Sequence, residues 1–257
     1  MASTSITLEV CTPDIGSVLA AQSGGARRIE LCQGLTEGGL TPSGGLLQQV
    51  ARMKGIETHV LIRPRGGDFL YTNEEVDVML HDIHVVRAAG VAGIVTGALT
   101  SAGDVDGDIM QELIRAAGPM EVTFHRAFDV CRQPLDALHR IIQLGCRYLL
   151  TSGQAHTASQ GQTLIRQLVS KADGAIAIMA GAGIRHDNVT SLVRATGVHY
   201  VHASASHKVS SRMTFHTTGV SMCSSAPADE YTISQTSPQE VRALLQALQQ
   251  EETKRPY

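Results

Sequence analysis

The fold is decided by residues 6–32, ITLEVCTPDIGSVLAAQSGGARRIELC. Two short apolar runs in this stretch, Ile6–Cys11 and Arg28–Cys32, have the Leu, Ile and Val content of β-strands. Asp14–Gln22 lies between them, follows a proline and predicts a helix. A strand, a helix and a second strand in this order form the repeating unit of parallel sheets.

Both of these strands end in the same pattern, Glu-x-Cys, which places Glu9 before Cys11 and Glu30 before Cys32. Residues two apart in a strand point to the same face, so parallel neighbours would bring both thiols to one end of a sheet. Two soft sulfur donors side by side suit a soft ion such as Cu(I). The alternatives are a redox-active disulfide, which nearby glutamates disfavour by raising the thiol pKa, and two small buried side chains.

The alternation of strand and helix continues along the chain and predicts a (β/α)8 TIM barrel. The predicted strands are Ile6–Cys11, Arg28–Cys32, Thr58–Arg63, Gly93–Thr96, Glu121–His125, Tyr148–Thr151, Ala175–Met179 and His199–His202. The predicted helices between them are Asp14–Gln22, Ser43–Met53, Asn73–Ala89, Asp106–Ala117, Pro134–Leu144, Ser159–Ala172 and Asp187–Ala195. An open doubly wound sheet is the alternative, but eight units fill the chain and no G-x-G-x-x-G follows the first strand.

We expect a single domain over residues 1–257, with the barrel over about residues 6–205 and an extension over residues 206–257. Residues 205–236 are rich in Ser, Thr and His and show little apolar periodicity. They predict a long structureless segment, which is either a functional flap or disordered. Ser237 then caps a last helix to about Gln250, whose apolar face predicts docking on the barrel.

Composition excludes several classes of function. The net charge of −3 argues against a general polyanion binder, and the absence of Trp with 4% aromatic residues argues against base stacking on nucleic acid. No apolar stretch reaches the roughly 20 residues of a membrane-spanning helix, and residues 1–5 do not read as a secretory signal. Five cysteines, an odd number, indicate a reducing, cytoplasmic compartment. We predict that Arg27 and Arg28 are charged residues on the solvent-exposed surface.

In a TIM barrel the functional residues lie at the carboxyl ends of the strands. Here each of these ends carries Gly or a polar residue. We predict a pocket formed by Glu9, Glu30, Arg63, Arg65, Asp68, His125 and Arg126. In this pocket the two glutamates would pair with Arg63, Arg65 or Arg126 in a ring, either to close the barrel or to bind a ligand. An anion site is predicted at Gly181, Gly183, His202 and Ser204. These residues predict that the protein is an enzyme that acts on a small phosphorylated or carboxylated molecule. The sequence does not identify the reaction.

The chain resembles the CutC family, named for copper homeostasis. The resemblance lies in motifs that run from the first strand to the last, namely LEVC at 8–11, RIELC at 28–32, EGGLTPS at 37–43, IRPRGGDF at 62–69, VTG at 95–97, TFHRAFD at 123–129, LLTSGQ at 149–154, IMAGAGI at 178–184 and VHAS at 201–204.

This resemblance implies a TIM barrel in the cytoplasm, a homo-oligomer (dimer or tetramer) and a copper ion as partner. It also implies that Cys11 and Cys32 are Cu(I) ligands, because the paired cysteines of the family fall at these two strand ends. No third ligand stands out, and the candidates are Met179, Met213, Met222 and Cys223. Cys131 and Cys146 are predicted to be incidental.

Overall fold

The architecture is a closed barrel of eight parallel strands, seen in a computed structural model that describes residues 5–217, 219–220 and 230–253. The strands are β1 Thr7–Thr12, β2 Arg28–Leu31, β3 Glu57–Leu61, β4 Gly93–Thr96, β5 Glu121–Phe124, β6 Tyr148–Thr151, β7 Ala177–Gly181 and β8 Tyr200–Ala203. Each strand pairs with the next along the chain, and β1 also pairs with β8. The predicted barrel is therefore confirmed, and the open doubly wound sheet is excluded because this sheet has no edge.

Seven helices alternate with these strands along the chain. They are α1 Ile15–Gly24, α2 Gly44–Ala51, α3 Asn73–Ala88, α4 Gly107–Ala117, α5 Pro134–Gln143, α6 Gln162–Ala172 and α7 Val189–Thr196. Local sequence fixes their ends, since Asp14 accepts a hydrogen bond from the Ser17 N–H and Gly25 takes a left-handed φ of 98° after α1. None of the helices in the described part of the chain is long and apolar enough to cross a membrane.

Several boundaries differ from the prediction by two or three residues, and turns explain two of them. Strand β7 begins at Ala177 instead of Ala175, because the Ala175 N–H bonds to the Ala172 carbonyl and closes the turn after α6. Helix α6 begins at Gln162 instead of Ser159, because a turn in which the Gly161 N–H bonds to the Thr157 carbonyl occupies the preceding residues.

The extension after the barrel contains a two-stranded antiparallel ribbon, β9 Ser206–Ser210 and β10 Thr232–Thr236. The prediction of one structureless segment over residues 205–236 was wrong for these strands. Their side chains are largely exposed, so the apolar alternation that marks a half-buried strand is missing, and backbone hydrogen bonds hold the pair.

The last helix, α8 Pro238–Glu252, packs on the barrel as predicted. The Ser237 hydroxyl caps it by accepting a hydrogen bond from the Glu240 N–H. It lies against α1, where a Cβ added at Gly24 would meet the Val241 side chain at 2.6 Å. Its C-terminal end is tied to α7 by an ion pair between Arg194 and Glu251.

The lower half of the barrel interior holds a buried ion pair. Arg28 and Glu9 face each other in the register of β1 and β2, and Arg28 Nε donates to Glu9 Oε2 at 2.7 Å. Their side chains are 3% and 1% exposed. Arg28 also donates to Glu57 and lies over the ring of Tyr148, 4.2 Å from its centroid. The prediction that Arg28 is solvated was wrong because Arg28 faces inward, whereas its neighbour Arg27 is exposed.

Replacing Arg28 tests this ion pair. We expect Arg28→Met to lower the free energy of unfolding by about 3 kcal/mol, because it removes the guanidinium that pairs with the buried carboxylate of Glu9. The matched variant Arg27→Met, one residue earlier on the outside, is expected to change it by less than about 0.5 kcal/mol. Urea unfolding followed by circular dichroism measures both, and equal effects of the two substitutions would contradict the assignment.

Candidate functional site

The carboxyl ends of the strands surround a cavity of about 450 Å³. Eight of the residues predicted for the pocket, the anion site and the metal site line this cavity: Cys11, Glu30, Arg63, His125, Arg126, Gly183, His202 and Ser204. They come from strands on every side of the barrel and from the loops that follow them, because the parallel strands all end at this mouth.

The other predicted residues lie outside the cavity lining. Glu9 is fully buried below its floor, and Cys32 is fully buried behind Cys11. A Cβ at Gly181 would lie 2.6 Å from Leu150, so close packing accounts for this glycine. The remaining two, Arg65 and Asp68, pair with each other, and Arg65 also pairs with Glu75 in α3. Neither Arg65 nor Asp68 lines the cavity.

The two cysteines lie side by side, with Cys11 Sγ and Cys32 Sγ 3.4 Å apart. The alternation of side chains turns both inward, and the Cys32 N–H bonds to the Thr12 carbonyl at 3.2 Å, which continues the pairing of β1 with β2. Glu30 faces Cys11 across this register, with Oε1 3.9 Å from Cys11 Sγ. The hydrogen bond with Cys32 and then burial raise the pKa of Cys11 well above its usual value.

A carboxylate is the third donor beside the thiols. One ligand atom each from Cys11, Cys32 and Glu30 lies within 4.8 Å of the others. The predicted candidates are elsewhere: Met179 packs with Tyr148 and Leu150, and Met213 is 60% exposed. Met222 and Cys223 lie outside the described residues.

Glu9 connects the cavity floor to the ion pair below it. Its Oε1 lies 2.9 Å from His202 Nδ1, and its other oxygen accepts from Arg28. Burial opposes ionisation, but the hydrogen bond and charge of His202, together with Arg28, lower the pKa of Glu9 to about 2. Burial also opposes charge on His202, yet Glu30, Cys11 and Glu9 raise its pKa well above the usual value. Glu9 and His202 are therefore a carboxylate and an imidazolium.

The predicted ring of glutamates with Arg63, Arg65 and Arg126 does not form. Besides the pairs of Arg65, Arg126 pairs with Asp129 at 2.7 Å and Arg63 donates to backbone carbonyls. Glu30 instead lies beside the thiols, and burial raises its pKa to about 7. Sequence reasoning missed Arg28 as the partner of Glu9, although its position two residues before Glu30 predicts the same inward face.

His125 is buried at the start of the short helical turn Arg126–Val130. Its Nδ1 accepts a hydrogen bond from the Ala127 N–H at 3.3 Å, so the ring hydrogen is on Nε2. Burial and the charge of Arg63 lower the pKa of His125 to about 3, which leaves the ring neutral at physiological pH. Within the described ranges, Nε2 has no hydrogen-bond partner.

The rim of the cavity carries two arginines, one after β5 and one after β7. Arg185, which the sequence reasoning did not single out, lines it together with Arg126, and both side chains are well exposed. Between β7 and Arg185 the chain turns through Ala182 and Gly183, whose φ values are 78° and 71°. This rim offers positive charge and turn backbone to a ligand that enters from solvent.

Known proteins resemble this chain over most of its length. The sequence profile of the CutC family matches residues 6–207. A family protein CutC from Chromobacterium violaceum is 48% identical over 241 residues, which cover 94% of this chain and 97% of that protein. A second, from Bacteroides thetaiotaomicron, is 45% identical over 241 residues, which cover 93% and 97%.

A solved structure agrees in fold as well as in sequence. The CutC protein from Streptococcus agalactiae, whose assignment to copper homeostasis is itself provisional, superposes with a TM-score of 0.74 at 30% identity. The match covers 77% of this chain and 98% of that one. The profile match and these relatives show that the chain belongs to the CutC family.

Proposed function

We propose that this protein binds Cu(I) through Cys11 and Cys32 and serves in copper homeostasis in the cytoplasm. The observation that carries the proposal is the 3.4 Å separation of the two sulfur atoms at the floor of an open cavity. Thiolates are the soft ligands that Cu(I) prefers, and two on adjacent strands need no backbone movement to share one ion. The relative from Streptococcus agalactiae, with its provisional copper assignment, supports the same role.

The surroundings of the thiols suit a buried soft ion. Cys11 lines the cavity and so gives access from the mouth, whereas Cys32 is fully buried. Leu61 and Val95 pack against the pair and exclude water from its far side. The thiol of Cys11 holds its proton tightly, so metal binding must release it, and Glu30 lies close enough to accept it.

Serine substitutions test the copper site. We expect the wild type to bind one Cu(I) per chain under anaerobic, reducing conditions. Cys11→Ser and Cys32→Ser should each weaken binding by more than about 100-fold, since loss of a direct ligand exceeds the 10–100-fold effect of outer partners. Competition against a chromophoric Cu(I) chelator measures the affinity.

The control for this test is Cys146→Ser. Cys146 is also buried, and it belongs to none of the ligand clusters in the described ranges. The Cys146→Ser substitution should leave the competition with the Cu(I) chelator unchanged. A double variant, Cys11→Ser with Cys32→Ser, that competes as well as the wild type would reject the copper site.

The second candidate is an enzyme that acts on a small phosphorylated or carboxylated ligand. A cavity of about 450 Å³ is far larger than one ion needs and falls in the range of small-molecule sites. Arg126, Arg185 and the imidazolium of His202 place cations in its lining. Binding of Cu(I) by two cysteines requires none of these cations. Their presence in the cavity lining is the observation that favours this candidate.

Inorganic phosphate tests the basic rim. We expect Arg185→Gln to weaken phosphate binding about tenfold, because a hydrogen bond to a charged group is lost. Arg115→Gln, an exposed arginine on α4 away from the cavity, should leave it unchanged. Isothermal titration of phosphate into the copper-free protein measures both, and equal affinities of the two variants would count against the rim as an anion site.

A further inference from the structure

Arg63 is a buried cation whose contacts are all neutral. The residue is 5% exposed. Its Nη1 donates to the carbonyls of Glu37 and Gly39, and its Nη2 donates to that of Gly67 at 2.9 Å. Across the described ranges, no aspartate or glutamate forms an ion pair with it, and its Nε has no acceptor. Burying a charge without an opposite charge is unfavourable, so an anionic ligand would stabilise this site.

His125 presents a second unused donor beside this cation. The hydrogen bond from Ala127 to Nδ1 fixes the hydrogen on Nε2, and no described residue accepts it. Buried donors in folded proteins nearly always have a partner, so an orphan on a cavity-lining residue points to a missing ligand atom. The ring is neutral and therefore adds a donor without adding charge.

One aromatic ring brings the two residues together. The Arg63 guanidinium carbon lies 5.0 Å from the centroid of Phe69, and the His125 ring centroid lies 4.9 Å from the same point. All three residues line the mouth cavity. Phe69 belongs to the loop after β3 and is only half-buried, so its ring forms an apolar part of the cavity wall beside these two residues.

We propose that Arg63 and His125 bind the oxygen atoms of a small 2-oxo acid or related planar carboxylate in the mouth of the barrel. The inference deepens the second candidate function, a small anionic ligand, and does not depend on copper. The two donors without a partner among the described residues, Nε–H of Arg63 and Nε2–H of His125, would each donate to an oxygen atom of such a carboxylate.

Charge selects a carboxylate over a phosphate at this position. Arg63 supplies one positive charge and His125 supplies none, which balances a monoanion. A phosphate dianion carries a second negative charge, which this pair would leave unbalanced in a buried place. The exposed arginines Arg126 and Arg185 at the rim, which pair with Asp129 and Asp187, are the cations for a phosphate.

The test uses pyruvate as the probe, with a Cu(I) chelator present so that the result does not involve the thiols. His125→Asn keeps an acceptor for the Ala127 N–H and removes the Nε2 donor. We expect it to weaken pyruvate binding at least tenfold and to leave phosphate binding unchanged. His139→Asn, an exposed histidine on α5, should change neither.

A second measurement needs no substitution. In the wild-type protein at pH 7, the ¹⁵N spectrum of His125 should show the neutral Nε2–H tautomer, and pyruvate should shift that signal. The inference is overturned if wild-type protein does not bind pyruvate, if His125→Asn binds it normally, if phosphate is lost in parallel, or if the signal does not move. Phosphate binding that still depends on Arg185 would then show that only this inference, and not the second candidate function, had failed.

Discussion

The carboxylate of Glu9 is the point on which the barrel interior depends. In β1, Glu9 lies opposite Arg28 of β2 and opposite His202 of β8, so one side chain spans the seam at which the barrel closes. Both neighbours contact it, at 2.7 Å and 2.9 Å. A buried charge requires its partners in place, so a shift in the register of either strand would leave a carboxylate unpaired. The ion pairs thus help to specify how the first and last strands meet.

The chemistry of the mouth follows from this arrangement. Glu30, Cys11 and Glu9 together raise the pKa of His202 well above its usual value, so a cationic imidazole lies at the floor of the cavity beside the Cys11 thiol and Glu30. The same cavity is lined by Arg63 and neutral His125, which follow β3 and β5. One space therefore offers both soft sulfur donors and N–H groups that bind oxygen. The copper proposal uses the first set, and the proposal of a planar carboxylate uses the second.

The order of the strands and the pairing of the cysteines were predictable from local pattern. Eight apolar runs separated by helices allow few topologies, and the two-residue period of a strand places Cys11 with Glu9 on one face. The same period predicts that Arg28 lies on the face of Glu30, but its neighbour Arg27 made the two arginines read as surface charge. The two-residue period of the strand therefore predicts the inward position of Arg28 better than the presence of two adjacent arginines does.

Other features of the structure could not be predicted, because they depend on backbone hydrogen bonds and on contacts that form only in the folded chain. Arg63 is held by carbonyl groups, which the sequence does not distinguish, so its pairing with a glutamate was a reasonable but wrong expectation. The ribbon of β9 and β10 is exposed and leaves no apolar signal. The neutral state of His125 follows from its burial and its nearness to Arg63, which only the folded chain defines.

The central claim is that Cys11 and Cys32 together hold one copper ion. X-ray absorption spectroscopy of the protein loaded with one equivalent of Cu(I) under anaerobic conditions tests it most directly. The account predicts a scattering shell that contains two sulfur atoms. A shell that contains only nitrogen and oxygen atoms would contradict it.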